Sequence, residues 1–286
     1  TTTGINQIKA TDTVDIIENT TFFAYYTINS YTLTIKYQKA DGSEIATAHT
    51  EQVKFGATYQ VQSPSDIRGY YTEQTTVTGT MPAEDVEITV TYSPKTYNIV
   101  LNSNFPTATG LQNVTDTSLT ATYDAKFTFK TLATLISENS VWNVAGYTFL
   151  GWFDDATSSS ATRYSDGASI DPLNFAGQDT YNFYARWEAR GDVTYTVNTY
   201  LMNTDGVNYT MTSDPREGFA NSEILVDYDG SGNPIINNKP YAFTGFTFDG
   251  EHESGTDLDT EIIVNANGTT VINLYYTRQK ANVTTY

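Results

Sequence analysis

Strict alternation of apolar and polar residues is the strongest signal along this chain. Leu33, Ile35 and Tyr37 alternate with polar neighbours, as do Val86, Ile88, Val90 and Tyr92. Period two means a strand with one buried face. Asp41-Gly42 lies between two such runs and predicts a hairpin turn. One segment follows the helical period instead. In Thr131–Ser137, Leu132, Leu135 and Ile136 share a face at i, i+3, i+4 spacing.

The alternating segments recur. Thr21–Tyr26, Val86–Tyr92, Asn182–Trp187 and Ile272–Tyr276 each end in an aromatic and read as the closing strand of a module. Each is followed by an opening strand that begins at a tyrosine: Tyr31, Tyr97, Tyr195 and, for the last, Tyr286. The steps from closing aromatic to opening Tyr are 5, 5, 8 and 10 residues. Self-similarity of this kind marks a repeat architecture. It predicts modules at 30–93, 95–189 and 193–278. Residues 1–29 are then the tail of a preceding module, and 279–286 a linker or the start of the next. Strands wrapped around one short helix predict a mostly β, α+β fold. The expectation is an elongated array of tandem small β-grasp-like modules joined by short linkers.

Composition supports this reading. Aromatics make up 14% of the 286 residues, 22 of them Tyr, a bias that suits pleated, half-buried surfaces. There is no cysteine, so the modules must hold by packing alone. The net charge of -18, from 33 acids against 15 bases, argues against nucleic-acid binding and against anionic membrane surfaces. No run of about 18 apolar residues exists, which argues against membrane insertion.

Two families are brought into view by particular residues. In the second module Gly146-Tyr147-Thr148-Phe149-Leu150-Gly151-Trp152-Phe153-Asp154, then Asp166-Gly167, then Phe183-Tyr184-Ala185-Arg186-Trp187 resembles the Listeria–Bacteroides repeat, also called the internalin B-repeat. An insertion from Phe105-Pro106 to Ser118 departs from that pattern. In the first module Ile35-Lys36-Tyr37, Asp41-Gly42, Phe55–Tyr59, Ile67–Tyr71 and Val90-Thr91-Tyr92 resemble the mucin-binding-protein (MucBP) repeat. The third module, with Tyr241–Phe246, looks like a diverged relative. Both resemblances imply β-grasp-like modules strung along bacterial surface proteins. The chain is therefore expected to be a monomeric stretch of a longer Gram-positive protein, extracellular and attached to the cell surface or cell wall. There it would act as a stalk or adhesive region. The alternatives are a module that binds host glycan or extracellular protein directly, and an accessory region of a large secreted enzyme.

No catalytic machinery is legible. His49 and His252 fall in different modules, and no Ser-His-Asp arrangement, phosphate loop, Gly-x-Ser-x-Gly or His-Glu-x-x-His motif occurs. The chain is expected not to be an enzyme and to need no cofactor. Calcium is the one cofactor that two features raise. Asp227–Asn233 resembles the start of a cation loop, although Asn238 stands where a bidentate Glu belongs and the glycine comes early. Asp249, Glu251, Glu253, Asp257, Asp259 and Glu261 form two trios at i, i+2 spacing. On strands each trio would share a face, which makes Asp257, Asp259 and Glu261 the candidate metal ligands. Trp152, Trp187 and Phe149 are expected in the core. Tyr70 and Tyr71 are adjacent, so one of them faces outward from a strand and is the candidate glycan contact. Lys36, Lys126 and Lys130, with Asn182, are candidates for an internal Lys–Asn amide cross-link.

Overall fold

The computed structural model describes residues 8–9, 11–16, 18–19, 21–171 and 177–280. The chain divides into two units at the Ser93/Pro94 boundary.

The first unit contains β1 (Ser30–Lys39), β2 (Glu44–Lys54), β3 (Thr58–Gln62), β4 (Tyr70–Tyr71), β5 (Thr76–Thr80) and β6 (Val86–Pro94). The alternation in β1 puts Leu33, Ile35 and Tyr37 in the core. The chain reverses at Asp41-Gly42, where Gly42 has φ 85°, into antiparallel β2. The last strand then returns beside the first. β6 pairs with β1 in parallel from Leu33–Val86 to Lys39–Tyr92, giving the order β2-β1-β6-β4. Parallel neighbours need a long crossover, and the segment between β2 and β6 supplies it. Within that crossover β3 and β5 pair as a separate antiparallel ribbon.

The second unit repeats this plan twice. Its first module holds β7 (Thr96–Asn102), β8 (Thr115–Thr122), β9 (Phe127–Thr128), α1 (Leu132–Glu138), β10 (Tyr147–Phe153), β11 (Arg163–Tyr164), β12 (Ser169–Ile170) and β13 (Thr180–Ala189). The order is β11-β10-β13-β7-β8, with β13 parallel to β7. The predicted helix is α1, capped by the Thr131 hydroxyl, which accepts from the Thr134 N–H, and it buries Leu135. The second module of the unit holds β14 (Val193–Met202), β15 (Tyr209–Gly218), β16 (Val226–Tyr228), β17 (Pro234–Ile236), β18 (Lys239–Pro240), β19 (Phe246–Phe248) and β20 (Val271–Arg278). Its order is β15-β14-β20-β19, with β20 parallel to β14.

All three sheets thus have the β-grasp order, with first and last strands parallel at the centre. What fills the crossover differs: the β3–β5 ribbon, helix α1, and the small β16-β17-β18 sheet. Two details recur. A four-residue turn with a left-handed glycine precedes, each time, the strand that lies beside the last strand on the side away from the first. The Tyr70 N–H donates to Ile67 across Gly69, Tyr147 to Val144 across Gly146, and Phe246 to Phe243 across Gly245. Positive φ at the third turn position is the requirement that glycine meets. The closing aromatic also has one role throughout. The Tyr92 hydroxyl donates to the Pro64 carbonyl at 2.8 Å, Trp187 Nε1 to Ser103 at 2.8 Å, and Tyr276 to Tyr241 at 2.6 Å.

Thr21–Tyr26, expected as a closing strand, is not a strand. It finds no partner strand among the described residues and leaves Phe22, Phe23, Tyr25 and Tyr26 exposed. Residues 1–7, 10, 17 and 20 of the expected tail, and 281–286 of the expected final segment, lie outside the described residues.

Candidate functional site

The first candidate is the tyrosine pair on β4. The Ile67–Tyr70 turn delivers the two side chains to opposite faces. Tyr70 is 7% exposed, with Lys39 Nζ 5.1 Å from its ring centre. Tyr71 is 45% exposed and is the outward member. An exposed phenol offers a flat apolar face with a polar tip, the combination that stacks on a sugar ring.

The acidic trios do not sit on strands. Residues 249–261 run through turns and loop between β19 and β20, so the i, i+2 spacing sets up no common face. Asp257, Asp259 and Glu261 are exposed, and Asp257 Oδ1 is used by the Asp259 N–H at 3.0 Å. Among the described residues no three acidic or histidine side chains are grouped closely enough to hold a metal ion. Loop formation wins here because Gly250, Gly255 and the polar run between them contribute little apolar surface to a sheet face. Asp227–Asn233 is the β16–β17 turn. Asp229 Oδ1 accepts from the N–H groups of Ser231 and Asn233, and its Oδ2 from the Asn233 amide, so this carboxylate is engaged in closing the turn.

The aromatic motif of the middle module has a packing explanation. Phe149 and Trp152 are three apart, an odd step that would put them on opposite faces of a regular strand. A bulge between Phe149 and Gly151 shifts the register, and both rings meet on one side with centroids 5.2 Å apart. A Cβ at Gly151 would stand 2.4 Å from the Tyr164 carbonyl oxygen, so glycine allows β11 to approach. Trp152 is fully buried. Trp187 and Phe149 are half-buried, packed against each other at 5.3 Å.

Two of the three candidate cross-linking lysines, Lys36 and Lys130, are engaged by carboxylates. Lys36 pairs with Glu87 at 2.7 Å. Lys130 lies between Asp116 at 2.8 Å and Glu138 at 2.7 Å, while Asn182 faces Asn102.

One cluster escaped the sequence. On the face of the third sheet opposite its core, Tyr200 stacks on Tyr275 at 4.3 Å and His252 stacks on the same ring at 3.7 Å. Tyr209 meets Tyr275 edge-on at 5.1 Å. Burial first, then Tyr200, pushes the Tyr275 phenol above its ordinary range, so its ring stays neutral at neutral pH. The adjacency of Tyr275 and Tyr276 hinted that one faced outward. Its partners follow from the parallel β14–β20 register, which no local signal announces.

Three β-grasp sheets, sharing one glycine turn and one tethering aromatic, define this chain as an array of β-grasp-like repeats. Residues 32–93 match the family model of the MucBP domain, in agreement with the resemblance read from the first module. No curated protein matches the chain. Among solved structures it is similar to the Bacillus anthracis TIE protein, at 9% identity and a TM-score of 0.37 over 88% of this chain and 51% of that one. The chain thus spans about half the length of that protein. It is also similar to Streptococcal High Identity Repeats in Tandem (SHIRT) domains 3-4 from a cell surface protein. There the identity is 14% and the TM-score 0.17, over 56% of this chain and 98% of the other.

Proposed function

We propose that this chain is part of the extracellular repeat region of a bacterial cell-surface protein, where its modules space and present binding surfaces toward host molecules. The observation that carries the reading is the same sheet built three times, its first copy coinciding with the MucBP match at 32–93. A repeat array suits this work because each module folds around its own core. Tyr71 is the contact this reading assigns to the first module. The preferred class is neutral glycan, because residues 30–93 carry 8 acids against 4 bases and offer no Arg or Lys cluster to clamp a carboxylate or sulfate.

The test is the full chain on an array of neutral, sialylated and sulfated glycans together with host extracellular proteins, beside a Tyr71→Ala variant. Saturable binding to neutral glycans that falls with Tyr71→Ala is expected. Binding to no member would reduce the chain to a spacer. Strong binding to sialylated or sulfated members would overturn the assigned ligand class.

A further inference from the structure

The middle module contains a depression of about 480 Å³ where β10 runs out of the sheet and the chain turns toward β11. That volume falls within the roughly 300–1,000 Å³ common to small-molecule sites. We propose that this depression binds the hydroxyl groups of a neutral carbohydrate. The proposal concerns a different module from Tyr71 and stands independently of the surface-protein reading.

The lining carries the argument. Asp154 and Asp155 line the depression with carboxylates, Asn182 and Gln178 with amides, and Tyr164 and Tyr184 with aromatic surface. The carboxylates are held in place. Asp154 Oδ1 accepts from the Thr162 N–H at 2.8 Å, and Asp155 Oδ1 from the N–H groups of Thr157 and Ser158 at 2.8 and 2.7 Å. Asp154 keeps its second oxygen for a ligand, whereas Asp155 is also engaged by the Thr157 side chain and serves to hold the lining in place. Asn182 uses Oδ1 toward Asn102, which leaves its amide hydrogens as donors. A sugar hydroxyl donates and accepts at once, so it needs both kinds of partner side by side, and this depression has both.

Charge excludes the competitors. An anion would meet two carboxylates. A cation needs acceptors alone and gains nothing from the amide donors. Its attraction is also reduced from behind the loop, where the Arg186 guanidinium is tied to the carbonyls of Asp155 and Ser158 at 2.9 and 2.7 Å and lies 4.2 Å from the Phe153 ring centre. The site is built from the fixed end of a strand pair, with Tyr184 opposite Phe153 in the β10–β13 ladder, so little ordering is needed on binding.

The experiment is an amide-resolved NMR titration of the full chain with methyl β-galactoside, methyl α-mannoside and N-acetylglucosamine. N-acetylneuraminic acid serves as the anionic arm and choline as the cationic arm. Saturable shifts confined to residues 154–157, 164 and 178–184 are expected with at least one neutral sugar. Asp154→Asn keeps the oxygen that caps Thr162 and should weaken that binding roughly tenfold, the loss of one charged hydrogen bond. Asn182→Ala should weaken it while leaving the rest of the spectrum unchanged. Choline or N-acetylneuraminic acid saturating these residues with no neutral sugar doing so would overturn the proposal. So would neutral-sugar shifts that survive both substitutions, or no saturable shift with any neutral sugar. Array binding that depends on Tyr71 alone would leave the surface reading standing while this site fell.

Discussion

A closing aromatic in these modules needs a donor at its tip as much as a ring at its base. Tyr92 and Tyr276 are 1% and 0% exposed, and burial pushes both phenols up, so each remains a neutral donor across the physiological range. Their hydroxyls tie the crossover loop back to the strand, at Pro64 and at Tyr241. Phenylalanine would fill almost the same space and leave the carbonyl without its partner. Tyr276→Phe should therefore cost about 1–3 kcal/mol, the penalty of a buried group left unpaired. Tyr92→Phe should cost about 1 kcal/mol, because the Pro64 carbonyl is only partly buried. Chemical denaturation of each variant checks this, and an unchanged midpoint for Tyr276→Phe would show that the tether contributes nothing. The aromatic at this position was plain in the sequence repeat. The need for a donor was not, because a loop carbonyl 28 or 35 residues away leaves no local trace.

At the level of elements, helix α1 is held to the sheet by a polar clamp. Lys130, just before the helix, bridges Asp116 on β8 and Glu138 at the helix end. Burial would raise the Asp116 carboxyl, but hydrogen bonds from Lys130 and Ser118 and the Lys130 charge hold it below its usual range. A carboxylate with a depressed folded pKa contributes stability that is complete above its unfolded value, about 3.9, and is lost as pH falls through the folded one. Lys130 is held above its usual range by the same two acids against the effect of burial. Its contribution is complete below its unfolded value, about 10.4, and is lost as pH rises through the folded one. The clamp is thus fully formed between about pH 4 and 10. Asp116→Asn should lower the stability of the middle module at pH 7 by about 1.5–3 kcal/mol and flatten its loss in acid, read by Trp fluorescence during denaturation from pH 7 to 2. An acid limb identical to that of the parent protein would assign the pH dependence to other carboxylates. Helix α1 and the strands β1 and β6 were legible because their periodicity is local. The acidic trios misled because i, i+2 spacing means a shared face only where the backbone is extended, and the segment from Asp249 to Glu261 turns repeatedly. The bulge beside Leu150 was equally hidden, although Gly151 beside Trp152 was its one sequence mark.

Across the second unit, two modules meet at a joint made of small residues. Gly146 lies against Ala220 and Ala266, the Ala220 N–H donates to the Arg190 carbonyl at 3.0 Å, and the Arg190 N–H donates to Gly146 at 2.8 Å. Tyr147 packs against the core of the third module and accepts from the Asn221 amide at 3.1 Å. Gly146 therefore has two duties, the left-handed turn that Gly69 and Gly245 also make and a close approach that Gly245 does not. An added Cβ at Gly245 meets nothing within 4 Å, whereas at Gly146 it would stand 2.8 Å from both the Ala220 Cβ and the Ala266 oxygen. Comparing the two separates the duties. Gly245→Ala should carry only the left-handed penalty of about 1–2 kcal/mol. Gly146→Ala should carry that penalty and also force the joint apart, since backbone at 2.8 Å cannot rotate away as a long side chain would. Native-state hydrogen exchange reads the difference at the Ala220 amide. Its protection should drop in Gly146→Ala by more than the global loss of stability accounts for, and should track global stability in Gly245→Ala. Protection at Ala220 that follows global stability in both variants would mean the joint absorbs the methyl group without opening, and the modules would then be coupled through Tyr147 and Asn221 rather than through the glycine contact.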